Sequence, residues 1–96
     1  MLKQLRYFVT VVDCGSFTEA AEKCFISQSA ISQQISALES SLGVALIKRG
    51  NRKFSVTPAG EYLYRNGKGL LERAEALRRE TMRIGQDEEL PLRIGY

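Results

Sequence analysis

The chain has 96 residues, 44% hydrophobic and 26% charged, which suits one compact domain with an appended helix but not two full domains. Its net charge of +3 is uneven: residues 1–57 hold seven Lys and Arg against four Asp and Glu, whereas residues 58–96 hold seven of each. With no histidine anywhere, most zinc sites and the common His-dependent catalytic arrangements are excluded.

The chain opens on Met1-Leu2-Lys3-Gln4-Leu5-Arg6, the pattern of neither a signal nor a transit peptide, and no apolar run approaches a membrane span. A soluble, cytoplasmic protein is expected. Leu5, Phe8, Val9 and Val12 then form one apolar face of a helix that Gly15 ends as a left-handed cap. Ser16-Phe17-Thr18-Glu19 is a capping box for a second helix, whose stripe is Phe17, Ala20, Ala21 and Cys24. The paired alanines allow a neighbouring helix to approach closely. Cys14 and Cys24 lack metal-type spacing, and read as small hydrophobes or as a redox-sensing pair.

Phe25-Ile26 interrupts the pattern, and Ser27 is a good N-cap for a third helix with Ile31, Ile35, Leu38 and Leu42 on one side. Its opposite face is the most informative feature of the chain. Ser29, Ser32, Gln33, Ser36 and Ser40 project there, with Gln28 in the first turn. An ordinary solvent-facing surface would carry Lys and Glu, and serine is a mediocre helix former. Short donor-acceptor groups with no carboxylate suit a helix laid in the DNA major groove, where Gln pairs with adenine and Ser reaches base edges or phosphates. Gln28, Ser29, Ser32, Gln33 and Ser36 are therefore the candidate base contacts, with Ser27 on the DNA backbone. A merely polar exposed face is the plainer alternative, which the tight helix-turn-helix over about 17–36 makes the weaker one.

After Gly43, segments 44–48 and 54–56 read as two short strands around the basic tip Arg49-Gly50-Asn51-Arg52-Lys53. Such a hairpin after a recognition helix is a wing, and Arg49, Arg52 and Lys53 are expected on phosphates. Thr57-Pro58 is an N-cap with proline at the first helical position. The helix it opens runs to about Gln86, with a heptad seam that includes Leu63, Leu70, Ala74, Leu77 and Ile84. A stripe that long exceeds what a domain of residues 1–57 can cover, so dimerisation is expected, with Gly60, Gly67 and Gly69 permitting close helix contact. Residues 87–96 read as an acidic hinge followed by a strand through Leu92 and Ile94, the opening of a further domain.

Leu5-Arg6-Tyr7-Phe8, Ser16 to Ala21, Ser27 to Ile35, Leu42-Gly43-Val44 and Thr57-Pro58-Ala59-Gly60 together resemble the LysR-type transcriptional regulators, over essentially the whole chain. The resemblance implies a mainly α fold: a winged helix-turn-helix over 1–57 and a linker/dimerisation helix over 58–86. It also implies an effector-binding domain beyond, homodimers that assemble into tetramers, and operators in double-stranded DNA built as interrupted inverted repeats. No cofactor is expected within this chain, and a small-molecule effector is expected on the further domain. Ser29 stands where proline is usual in the family, Gln33 where arginine, Ile47 where phenylalanine and Cys24 where leucine. The first two lie on the reading face and bear on the operator sequence, the others on the core.

Two other classes compete. A helical oligomerisation module without DNA binding would explain the long helix but not the Ser/Gln face and the basic wing. An enzyme finds no support, since histidine, a Gly-rich phosphate loop and metal spacing are all missing. Among DNA-binding proteins, a winged helix of the MarR type is the runner-up, but those flank the domain with dimer helices on both sides.

Overall fold

The computed structural model describes residues 1–49 and 54–87, in the order α1 (Leu2–Cys14), α2 (Phe17–Cys24), α3 (Gln28–Leu42), β1 (Ile47–Arg49), β2 (Phe54–Val56) and α4 (Pro58–Asp87). Arg52 and Lys53 at the wing tip, and the strand expected through Leu92 and Ile94, lie outside the described residues.

Helices α1, α2 and α3 pack on one another, and α4 lies against α1. The core they enclose comprises Leu5, Phe8, Val9 and Val11 of α1, Ala20 and Ala21 of α2, and Ile31, Ile35 and Leu38 of α3. Leu46 and Ile47 complete it from the wing. Val11 is fully buried where the periodicity favoured Val12, which is only half-buried. The cause is that α1 touches three helices, so its buried arc is wider than one stripe. Leu42 is the other departure: it is 41% exposed, because the last turn of α3 runs past the elements packed on the rest.

Capping explains where the helices break. Gly15 ends α1 at φ 69° and donates its N–H to Val11 O, and Ser16 Oγ accepts from the Glu19 N–H at 3.2 Å to start α2. The close of α2 is less ordinary. Phe25 takes φ 60°, a left-handed conformation usually left to glycine, and its ring stays 92% exposed. Its N–H reaches Glu22 O and the Ile26 N–H reaches Ala21 O, the paired bonds of a Schellman closure. Ser27 Oγ then accepts from the Ala30 N–H at 3.0 Å and opens α3.

The wing is shorter at its first strand than segment 44–48 suggested. Val44 and Ala45 are exposed and outside it, and β1 pairs antiparallel with β2 as Ile47↔Val56, Lys48↔Ser55 and Arg49↔Phe54. The approach to β1 is held by a side chain. Glu39 Oε2 of α3 accepts from the Leu46 N–H at 2.8 Å and from the Ile47 N–H at 3.1 Å. On the far side of the hairpin, Thr57 donates its hydroxyl to Ala45 O at 2.7 Å and accepts from the Gly60 N–H at 3.0 Å. One threonine thus caps α4 and ties it to the wing.

Two glycines let α4 lie close to the domain. A Cβ at Gly60 would stand 2.2 Å from the Leu46 carbonyl oxygen, and one at Gly67 would stand 2.8 Å from Leu5 Cδ1. Their close contact is made within the chain, while a Cβ at Gly69 would meet nothing within 4 Å among the described residues. Leu63, Tyr64 and Leu71 also pack on the core. The heptad stripe is therefore divided. Leu63 and Ala74 are half-buried, whereas Leu70, Leu77 and Ile84 are exposed at 45%, 69% and 48%. Gly67 and Ala74, one heptad apart, lie on the side turned to the domain, whereas Leu70, Leu77 and Ile84, likewise at heptad intervals, share an open side.

Candidate nucleic-acid interface

The polar side of α3 is a surface, as its residue types required. Gln28, Ser29, Gln33 and Ser36 are exposed, and Ser27 stands beside them at the N-cap. Because Ile31, Ile35 and Leu38 point the opposite side of the helix into the core, this face is rigidly presented. Ser32 differs from the other four: it is half-buried, and its Oγ accepts from Arg49 Nη1 at 3.0 Å.

Helix α2 contributes a residue that the periodicity did not single out. The Thr18 hydroxyl donates to Gln28 Oε1 at 3.2 Å, which orients the amide and leaves its NH₂ group for another partner. Spacing gives no hint of this pair, since ten positions separate two residues that only the helix-turn-helix crossing brings together. Glu39 was equally silent, although it is the sole charged residue of α3 and that isolation was a usable signal.

Arg49 is not a free basic residue on a wing. Its guanidinium carbon lies 4.8 Å from the Phe17 ring centroid, and Phe17 meets Phe54 edge-on at 5.5 Å between centroids. The last residue of β1 thus spans the first residue of α2 and a reading-face residue of α3. Of the wing residues expected on phosphate, Arg49 is the one described, and it is exposed while also engaging Phe17 and Ser32.

Where α1 meets α4, Tyr64 donates its hydroxyl to Asp13, and Lys68 lies 3.6 Å from the same carboxylate. The hydrogen bond to Tyr64 and the charge of Asp13 hold the Lys68 ammonium above its ordinary pKa of 10.5. This cluster joins the end of α1 to α4. Cys14 and Cys24 are free, half-buried thiols. Among the described residues no group of three or more Cys, Asp or Glu could hold a metal ion, and no helix is long and apolar enough to cross a membrane.

Three helices, a two-stranded wing and a long trailing helix, with an uncharged polar face on the second helix of the turn, define a winged helix-turn-helix of the DNA-binding kind. Residues 2–61 match the family described as bacterial regulatory helix-turn-helix protein, lysR family, and the chain belongs to that family. It is 42% identical over 95 residues to the HTH-type transcriptional regulator BenM of Acinetobacter baylyi, covering 99% of this chain and 31% of that protein. It is likewise 42% identical to the Hca operon transcriptional activator HcaR of Escherichia coli, covering 99% of this chain and 32% of the relative. The chain thus spans about a third of the length of these curated relatives. Among solved structures, the BenM DNA-binding domain in complex with catB site 1 DNA superimposes with a TM-score of 0.84 at 42% identity, covering 88% of this chain and 94% of that one. The CbnR DNA-binding domain in its DNA complex gives 0.82 at 32% identity, over 88% of this chain and 98% of that one. These relatives are transcription regulators, and this chain is a LysR-type helix-turn-helix DNA-binding domain.

Proposed function

We propose that the module reads double-stranded DNA by laying α3 in the major groove, with Gln28, Ser29, Ser32, Gln33 and Ser36 toward base edges and Ser27 toward the backbone. The observation that carries this reading is the exposed, uncharged Gln/Ser face of a rigidly held α3. Arg52 and Lys53 hold phosphates and contribute affinity without reading sequence. The α4 face that includes Leu70, Leu77 and Ile84 pairs two copies, with Leu63 and Ala74 at its packed border. A two-fold dimer presents two α3 helices to an interrupted inverted repeat, spaced by one DNA turn of about 34 Å or a multiple of it. The intact regulator works as a tetramer in the cytoplasm, associated with the nucleoid, and a further domain binds a small-molecule effector. The described portion of this chain needs no cofactor for its own task.

Selection of binding sites from random DNA tests the groove assignment. Gln33→Ala should cost about 1–3 kcal/mol on the best site and relax preference at one base position. Arg52→Ala should weaken all sequences alike and flatten the slope of log K against log salt concentration by about 0.9 for each phosphate left without its cation. A Gln33→Ala protein that selects the wild-type motif at wild-type stringency overturns the placement of α3.

A further inference from the structure

We infer that Arg49 is a specificity-determining positioning residue: pinned on Phe17, its guanidinium takes up a lone pair of Ser32 and presents the Ser32 hydroxyl to DNA as a hydrogen-bond donor. The inference rests on the groove placement of α3 proposed above.

A serine hydroxyl can donate or accept, whereas a guanidinium only donates. In the 3.0 Å bond between Arg49 Nη1 and Ser32 Oγ the serine oxygen is therefore the acceptor. Accepting from a cation polarises the O–H and strengthens it as a donor. Helical hydroxyls ordinarily spend that donor on the carbonyl one turn back, as Thr10 does on Arg6 O at 2.8 Å and Thr81 on Leu77 O at 2.7 Å. Among the described residues the Ser32 hydroxyl has no such acceptor, so its hydrogen is left for the surface that α3 presents.

The arrangement is held from three sides. Arg49 leaves β1 through the wing ladder, lies 4.8 Å from the centroid of Phe17, and Phe17 is itself braced by Phe54. Ser32 is half-buried where the rest of the reading face is open. A fixed donor recognises acceptor edges in the major groove: guanine O6 and N7, adenine N7 and thymine O4. Cytosine offers only its N4 amino donor there. The base facing Ser32 is thus selected against cytosine, and Arg49 enforces the choice without touching that base.

The test is random-sequence selection with the 96-residue chain, comparing wild type, Ser32→Ala, Arg49→Met, Arg49→Lys and the Ser32→Ala/Arg49→Met double variant. Salt slopes and thermal unfolding are recorded for each. Ser32→Ala and Arg49→Met should lose discrimination against cytosine at the same position, by roughly ten-fold. The double variant should lose no more than either single one, the signature of two residues acting as a unit. Arg49→Lys retains a donor and should keep part of the discrimination, and the salt slope of Arg49→Met should equal that of wild type. A folded Arg49→Met protein that keeps the full motif, while its salt slope flattens by about 0.9, makes Arg49 a phosphate anchor and overturns the inference. Ser32→Ala changing the motif while Arg49→Met does not also overturns it. Should Arg49→Met fold poorly, a Ser32→Ala motif identical to wild type still does so. A wild-type chain that selects no motif refutes the groove placement of α3 instead.

Discussion

The two halves of α4 carry the same kind of apolar stripe and are held by different physics. From Thr57 to Leu71 the helix is locked to the winged domain: Gly60 lies against the Leu46 carbonyl, Gly67 against Leu5, and Tyr64 and Lys68 reach Asp13. From Glu75 to Asp87 it is supported by exposed ion pairs within the helix, Arg78 with Glu75 at 2.8 Å and Arg83 with Glu80 and with Asp87 at 3.1 Å. Solvent and salt screen such pairs, so they support the helix only weakly. Helical segments of this length are marginal in water unless an apolar face is covered. The inner half draws its stability from tertiary contact, and the outer half has a face suited to a second copy.

The sharpest division is a series of three glycines. Gly60→Ala drives a methyl into a backbone carbonyl that cannot step aside, and should destabilise the domain by about 3 kcal/mol or more. Gly67→Ala meets the flexible tip of Leu5, so the clash and the gain of up to about 1 kcal/mol in helix propensity partly cancel. Gly69→Ala meets nothing within 4 Å and should stabilise by about 0.5–1 kcal/mol. Urea denaturation of the three variants gives the order. If Gly60→Ala unfolds like wild type, the inner half is not locked as described; if Gly69→Ala is destabilised, a partner packs there.

For the open face of α4, which begins at the exposed Leu70 within the locked half, the informative change is Leu70→Lys. It places a charge in the proposed pairing surface, at a cost of several kcal/mol to assembly if that surface is dry. The inner contacts are untouched, so the winged core should remain folded. Sedimentation of wild type and variant measures the difference in assembly. A wild-type chain that stays monomeric at high micromolar concentration would remove α4 from assembly altogether.

The smallest expected effects separate the halves by pH. Lys68 is held above its ordinary 10.5 by Tyr64 and Asp13, so its contribution is fully present below about pH 10.5 and is lost as pH rises through the higher folded-state value. Glu75 is held below its ordinary 4.5, chiefly by the hydrogen bond from Arg78, so its contribution is present above about pH 4.5 and is lost as pH falls through the lower folded-state value. Alkaline titration should loosen the inner anchor and acid titration the outer pairs. Circular dichroism against pH, with Lys68→Met and Glu75→Gln as controls, checks both. An alkaline midpoint unchanged by Lys68→Met would dissociate that cluster from stability.

Much of the fold was legible because its signals are local. Ser16, Ser27 and Thr57 cap the helices they precede, and Gly15 and Gly43 close the preceding ones in left-handed conformation. The stripe Ile31, Ile35 and Leu38 located the core and, by opposition, the polar face. These depend only on helical period and on which groups a short side chain can reach.

What only the tertiary structure decided lies between elements. The stripe of α4 is continuous in sequence, yet the path of the helix over α1 divides it into packed and open parts. Arg49 has the composition of a phosphate anchor, and only the meeting of β1, α2 and α3 turns it onto Phe17 and Ser32. The two N–H groups satisfied by Glu39 are seven and eight positions away, across a turn whose shape no local pattern specifies. Helical period and capping propensity belong to neighbouring residues and travel with the sequence. The partner of a charged or polar side chain is settled by which elements the core brings together, because its hydrogen bonds are made wherever packing leaves a donor beside an acceptor.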